Sequence, residues 1–239
     1  QEQKQEQAQI NLAITRLTLK HFPSAATINC NEPQKTHHIP HTPTTQSISQ
    51  AQLIGTIIHQ TLEKISQIGI EQWQSFGISK ERLIWSRGLR PLNLDSNAQQ
   101  TCLAHIEKAI LNTLNDSHGQ WLLCNTHTFC ASEYAITTIE NNKPRQLIID
   151  RFIIDDSETA WIVDYKTSSP LPDQSIEDFI EQARVEHHEQ LNTYRLAIEN
   201  IHTQPIHCAL YFPMLPRFIN LTSTLGDPLN TSSNLETIS

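Results

Sequence analysis

The chain has 239 residues, 38% of them apolar and 18% charged, with a formal net charge of −8 at pH 7. That size suits one domain with ragged ends, or at most two small ones. The acidic balance argues against a nucleic-acid binder that works by bulk electrostatics, and no apolar run approaches the ~18 residues a membrane-spanning helix needs. The polar start, Gln1 to Gln9, carries no basic-then-apolar signal pattern, so a cytoplasmic protein is expected. The chain begins with Gln and its only methionine is Met214, which reads as an excised piece of a longer protein. The five cysteines (Cys30, Cys102, Cys124, Cys130, Cys208) form no C-x-x-C pair and read as plain thiols rather than zinc or iron–sulfur ligands.

In chain order, Gln1 to Phe22 could begin as a helix, with Ile10, Leu12, Ala13, Leu17 and Leu19 as its apolar positions. Pro23 to Ser49 reads as a linker: it clusters Pro, Thr and His and has no periodicity. Its histidines His37, His38 and His41 read as solvated rather than as a metal tract. Ser49 or Ser47 is placed to cap a helix beginning near Gln50. From Gln50 to Ile68 the apolar residues Ile54, Ile57, Ile58, Leu62, Ile65 and Ile68 recur at helical spacing. Glu71 to Asp95 is less regular and reads as helix, then loop. A second clear helix spans Asn97 to Leu114, marked by Leu103, Ile106, Ala109 and Ile110.

The period then changes from 3.6 to 2. Ser132 to Glu140, Arg145 to Ile154 and Ala160 to Thr167 read as strands. The turn cluster Asp155-Asp156-Ser157-Glu158 joins the last two as an antiparallel hairpin. After Pro170 and Pro172 a long helix carries Ile176, Phe179, Ile180, Ala183, His187, Leu191, Tyr194, Ile198 and Ile201 on one face. Ile206 to Phe212 alternates as a fourth strand, and the end of the chain is polar. The expected order is α-α-β-β-β-α-β, an α/β fold with a small mixed sheet flanked by helices. The expected divisions are an N-terminal helix and linker at 1–49, the domain proper at 50–213, and a polar tail at 214–239.

Chemistry concentrates where the strands end. On a strand, Asp164 and Lys166 point the same way, and Asp150 lies on the neighbouring strand of the hairpin. Two carboxylates and an ammonium can therefore meet on one patch, and hard oxygen ligands suit magnesium or manganese. Taken alone, the D-x-K pattern reads better as charges on the wet face of a sheet. His59 adds weight. It sits in mid-helix one turn from Gly55, and a glycine there costs about 1 kcal/mol relative to Ala unless it allows a close approach. Beside the carboxylates His59 is a candidate nitrogen ligand, which would favour manganese. Gln190 and Tyr194, spaced i, i+4, project from one side of the long helix. Glu133, on the strand before the hairpin, is a candidate further ligand or a surface residue. His187 lies on the apolar face, either near the substrate or simply buried. No phosphate-cradling G-x-x-x-x-G-K-[ST] loop exists among six glycines, so this piece is not an ATPase motor.

The ordered set resembles a known family. G-x-x-x-H at Gly55 to His59, the strand aspartate Asp150, D-Y-K-T at Asp164 to Thr167 and Q-x-x-x-Y at Gln190 to Tyr194 are similar to the RecB/AddA-type nucleases of the PD-(D/E)XK superfamily. These stand at the C-terminus of UvrD-like helicase–nucleases. The resemblance covers about Ala51 to Pro213. It departs from the superfamily's name at Ile149, where a proline would precede the first aspartate.

The resemblance implies a restriction-endonuclease-like core and a divalent-metal-dependent deoxyribonuclease, exonuclease more than endonuclease, using Mg²⁺ or Mn²⁺. His59, Asp150, Asp164 and the main-chain carbonyl of Tyr165 would bind metal. Lys166 would orient the attacking water or stabilise the transition state. Gln190 and Tyr194 would support the site and contact the strand. The implied partners are single-stranded DNA or duplex ends, helicase motor domains in the same full-length chain and a second subunit, in DNA recombination and repair, with no membrane. Bound metal would supply the local positive charge that the composition lacks. Two other readings remain: a catalytically silent DNA-binding scaffold with the same fold, and a free-standing nuclease of the CRISPR-associated or phage-exonuclease kind.

Overall fold

The helix at the head of the domain starts where its caps are. In the computed structural model, which describes residues 49–140 and 143–222, helix α1 runs Gln50–Ile68. Ser49 accepts from the Gln52 N–H, and the Gln52 side chain returns the bond to the Ser49 N–H, a reciprocal capping box. The described residues belong to one compact unit, Gln46–Ser239. The expected helix at Gln1 to Phe22, the linker before Ser49 with its histidines, and the polar end after Thr222 lie outside the described residues.

The irregular stretch Glu71 to Asp95 differs from expectation. It is not one helix and a loop but α2 (Ile70–Phe76), α3 (Ile78–Gly88) and a 3₁₀ turn at Arg90–Leu92. Gly69 and Gly77 stand between the helices at φ 90° and 80°, where a side chain would be strained, and so set the breaks. Each short helix buries one tryptophan, Trp73 or Trp85, so no long apolar stripe exists to be read. Trp85 donates its indole N–H to Thr61, and the buried Glu81 accepts from Lys64 at 2.6 Å; together they clamp α3 to α1. Helix α4 (Ser96–Asn115) follows as expected. A short α5 (Ser117–Leu123), capped by Asp116, was not foreseen.

The sheet order is β1 (Phe129–Glu140), β2 (Lys143–Ile154), β3 (Ala160–Tyr165), β4 (Ile206–Phe212) and β5 (Arg217–Asn220), joined in that sequence. All neighbours are antiparallel except β3 and β4, which are parallel and linked by the crossover helix α6 (Ile176–Glu199). The hairpin of β2 and β3 and the mixed sheet are as expected. The fifth strand is additional, and it lies in the stretch read as polar tail. Helix α6 ends at Glu199, so Ile201, expected on its apolar face, is instead 63% exposed.

Helices cover both faces of the sheet. On one side α1 to α5 pack Ile58, Leu62, Ile106 and Leu122 over Ile153, Val163, Tyr165 and Tyr211. On the other, α6 packs Phe179, Leu191, Tyr194 and Ile198 over Ile149, Phe152, Ile162 and Leu210. Strand alternation slips once. Ile149 and Phe152 both face α6 although they are three apart, and on β1 Tyr134 faces α6 while Ser132, two residues earlier, bonds to Ser66 of α1. The slip coincides with Glu133, which has φ 49° and is missing from an otherwise continuous β1–β2 register.

Arg151 holds this slip in place. It is buried to 2% exposure, with no carboxylate partner among the described residues. Its guanidinium donates to the Leu122 and Cys124 carbonyls at the end of α5, at 2.8 and 2.6 Å, and to Ser132 Oγ at 3.2 Å. A cation at a helix C-terminus meets both the unpaired carbonyls and the negative end of the dipole. Arg151→Ala should therefore lower stability by about 3–5 kcal/mol, since it opens a cavity and strands buried carbonyls. Chemical denaturation checks this; a loss under about 1 kcal/mol would mean that water replaces the guanidinium.

Candidate metal and catalytic site

The sheet's hydrogen bonding stops where the site begins. The β2–β3 ladder runs from Ile154↔Ala160 to Arg151↔Val163 and goes no further. At the next position the Tyr165 N–H donates to the Asp150 side chain, Oδ2, at 2.7 Å. Asp150 is thereby fixed by the backbone of the strand that carries Asp164. Its other oxygen, Oδ1, lies 3.5 Å from His59 Nδ1. Strand β3 ends at Tyr165 rather than Thr167, but the Lys166 N–H still bonds the Tyr211 carbonyl of β4 at 2.9 Å, so the alternation carries through. Lys166 Nζ comes to 2.7 Å from Asp164 Oδ2, on the side expected from the strand pattern.

Helix α1 brings His59 from one side of the sheet. A methyl group on Gly55 would meet Thr167 Oγ1 at 3.2 Å, which explains a glycine in mid-helix: it lets α1 lie close to the chain leaving β3. Tyr165 sets its ring edge-on against His59, with centroids 5.8 Å apart. Helix α6 brings Gln190 from the other side. Its amide N–H₂ donates to Asp164 Oδ1 at 2.9 Å and to the Tyr194 hydroxyl at 3.0 Å, while its oxygen accepts from Lys166 at 3.1 Å. Gln190 thus orients the acid and the base of the D-x-K pair together, and Tyr194, buried beneath it, fixes the amide.

Glu133 completes the group. His59, Glu133 and Asp150 offer one nitrogen and two carboxylate oxygens within 4.8 Å of one another. That donor set fits a divalent cation of the magnesium–manganese class. Asp164 stands behind it, tied to Lys166 and Gln190. Expected neighbours are therefore together, and the structure brings Glu133 to His59 and Asp150. Arg151 was missed, although an arginine inside the apolar run Leu147 to Ile154 was a readable cue for a buried cation. His59, Glu133 and Asp150 open on a cleft of about 1280 Å³, walled by Gln52, Thr56, Gln60, Glu63 and Thr167.

Residues 34–220 match the PD-(D/E)XK nuclease superfamily. The chain belongs to that superfamily. No curated protein matches the chain. The mixed five-stranded sheet with helices on both faces is consistent with the superfamily fold, whose nucleases use divalent metals. Among the described residues no helix is long and apolar enough to cross a membrane.

The electrostatics of this candidate site set its pH dependence. Burial, then the Asp150 charge, push Asp164 up to about 6, although Lys166 opposes both. Burial lowers His59, but the Asp150 bond and the charges of Asp150, Asp164 and Glu133 outweigh it and leave His59 raised. A carboxyl whose folded pKa exceeds its unfolded one destabilises the fold when ionised. That penalty is absent below about pH 4 and fully present above about pH 6. In chelator, Asp164→Asn should melt above wild type at about pH 8, by about 1–3 kcal/mol, with the gap closing toward about pH 4. A variant that melts lower at about pH 8 would show that the Lys166 pair outweighs burial.

Metal binding should run the other way. A proton on the raised His59 competes with the cation, so Mn²⁺ affinity should climb with pH through the His59 titration and level off above it. Asp150→Ala should abolish most of that affinity in calorimetry. Wild-type affinity in the variant would remove Asp150 from the ligand set.

Proposed function

We propose that the domain hydrolyses DNA phosphodiester bonds with a bound divalent metal, acting on single strands or frayed duplex ends. The observation that carries this is the convergence of His59, Glu133 and Asp150 beside the Lys166–Asp164–Gln190 network at the end of β3. A metal held by His59, Glu133 and Asp150, with Asp164 and the Tyr165 carbonyl as further candidate ligands, would supply a nucleophilic water at neutral pH and neutralise the phosphate. The chain's own part is positioning and charge. Lys166, steadied by Gln190, presents its ammonium to a phosphate oxygen on which charge grows as the bond to phosphorus forms. Asp150, locked by the Tyr165 N–H, and His59, seated by α1, need no rearrangement at that moment.

We read the domain as one module of a larger machine, as the resemblance to RecB/AddA-type nucleases suggests. Strand delivery would fall to a helicase motor in the same full-length chain and to a second subunit, in recombination or repair, in the cytoplasm. Charge favours this division of labour. The cleft wall carries Glu63, Glu133 and Asp150 and, among the described residues, no Lys or Arg. Such a wall does not gather a polyanion by itself. Exonuclease action fits a strand fed end-first.

Lys166→Ala tests the proposal. It should lower metal-dependent cleavage of labelled single-stranded DNA by about 10²–10³-fold, because the charge it meets develops only in the transition state. The fold and Mn²⁺ affinity should be retained, with stability lowered because Asp164 loses its buried partner. Cleavage at the wild-type rate would take Lys166 out of the mechanism and leave a scaffold with a nuclease fold.

A further inference from the structure

Helix α6 carries one titratable side chain on its site-facing stripe that the chemistry above does not use. His187 precedes Gln190 by three residues and Tyr194 by seven, so all three share a face at about 100° per residue. Because β3 and β4 are parallel, α6 must run back along the sheet from the carboxyl end of β3. His187 therefore stands about 4.5 Å further toward that end than Gln190, at about 1.5 Å per residue. That is the end of the sheet at which Lys166 follows β3. The side chain is half-buried, and no hydrogen bond or ion pair within the described residues engages its ring.

We propose that His187 is a second phosphate contact, a titratable one, that takes the nucleic-acid backbone together with Lys166. This rests on the nuclease reading and extends it to how the strand is held. Among the described residues the inner site presents one cation, Lys166, and that cation is already shared between Asp164 and Gln190. An imidazole beside it can add an N–H donor when neutral and a charge-assisted one when protonated.

The charged groups acting on His187 come from two elements. Lys166 does so from the end of β3, and Glu186 from α6 itself. Strand β4, the other strand beneath α6, contributes Cys208, Leu210 and Phe212 to the shared core. Asp164 lies behind Gln190, and Arg184, one turn back on α6, reaches toward Glu181 and the Asn220 carbonyl. Burial, and then the Lys166 ammonium, hold the free imidazole below the usual histidine range, against the pull of Glu186. A phosphate beside it reverses the balance. Binding then takes up a proton, so affinity rises as pH falls through the bound-state pKa and levels off below the free-state one.

The test is fluorescence anisotropy of a short fluorescein-labelled oligothymidylate, titrated with the whole chain in saturating Ca²⁺, from about pH 8.5 to about pH 5.5. Wild type should tighten by about threefold to tenfold as pH falls, the worth of one added charge-assisted bond. His187→Gln should lose most of that dependence, and His187→Lys, with its fixed charge, should stay tight throughout. Because metal-ligand protonation affects all three alike, the difference between them isolates His187. The same pH dependence in His187→Gln as in wild type, with strand cleavage normal, would overturn this proposal and leave the nuclease reading standing. A wild-type chain that neither binds nor cuts the strand would overturn both.

Discussion

The hydrogen bond from the Tyr165 N–H to the Asp150 carboxylate, 2.7 Å long, is the constraint around which the domain is arranged. A sheet strand normally satisfies that N–H from the neighbouring backbone. Here a side chain does so, and the β2–β3 ladder ends one residue short of the site. The exchange has two effects. The carboxylate is held by a charge-assisted bond to the main chain, the least mobile partner available. And the backbone of β2 is released from its pairing on both sides at once, since Glu133 opposite it is also unpaired and sits at φ 49°. Strain of that kind persists only where the surroundings over-determine it. Arg151 supplies the over-determination by tying the next residue to the end of α5 and to Ser132.

The site needs two layers of helix because the strand end has two sides. Helix α1 reaches it with His59, and it can do so because Gly55 leaves room for Thr167. Helix α6 reaches it with Gln190, whose single amide contacts Asp164, Lys166 and Tyr194. The two halves differ in kind. The α1 half gathers ligand atoms, His59, Glu133 and Asp150, toward an open cleft. The α6 half is a closed network in which a buried carboxylate is balanced by an ammonium. Asp164, 4% exposed, is pushed up to about 6 by burial and by Asp150, so it sits near the point where proton and cation compete for it.

Much of this was legible in residues whose period is long. Helices α1, α4 and α6 and the β2–β3 hairpin announce themselves over windows of ten residues or more, and the Asp164–Lys166 pair follows from alternation alone. What was not legible is short or broken. Helices α2 and α3 bury one tryptophan each, and each begins after a positive-φ glycine, Gly69 or Gly77. Strand β5 has four residues and hides in a polar stretch. The slip at Glu133 and Asp150 defeats any argument that counts by twos, because alternation assumes an unbroken ladder. That slip turns Glu133 toward His59 and Asp150, so a residue that strand counting leaves open becomes part of the ligand group.

Charge distribution links the architecture to the proposed role. The chain carries −8, and three of its carboxylates line the cleft around the site. Bulk attraction cannot hold a nucleic acid there, since affinity from that source scales with the number of phosphates neutralised. The favourable electrostatics must be local, few and close: bound metal, Lys166 and the groups that steady it. Interactions of that number do little for the ground state of a long strand. Under the proposed function they would matter where charge is concentrated on one phosphate, in the transition state, and there they would raise turnover without tightening hold of the product. An acidic surround then has a use. In the proposed role it would let a strand pass through the site and leave, which would suit an enzyme fed its substrate by a motor better than one that must capture it from solution.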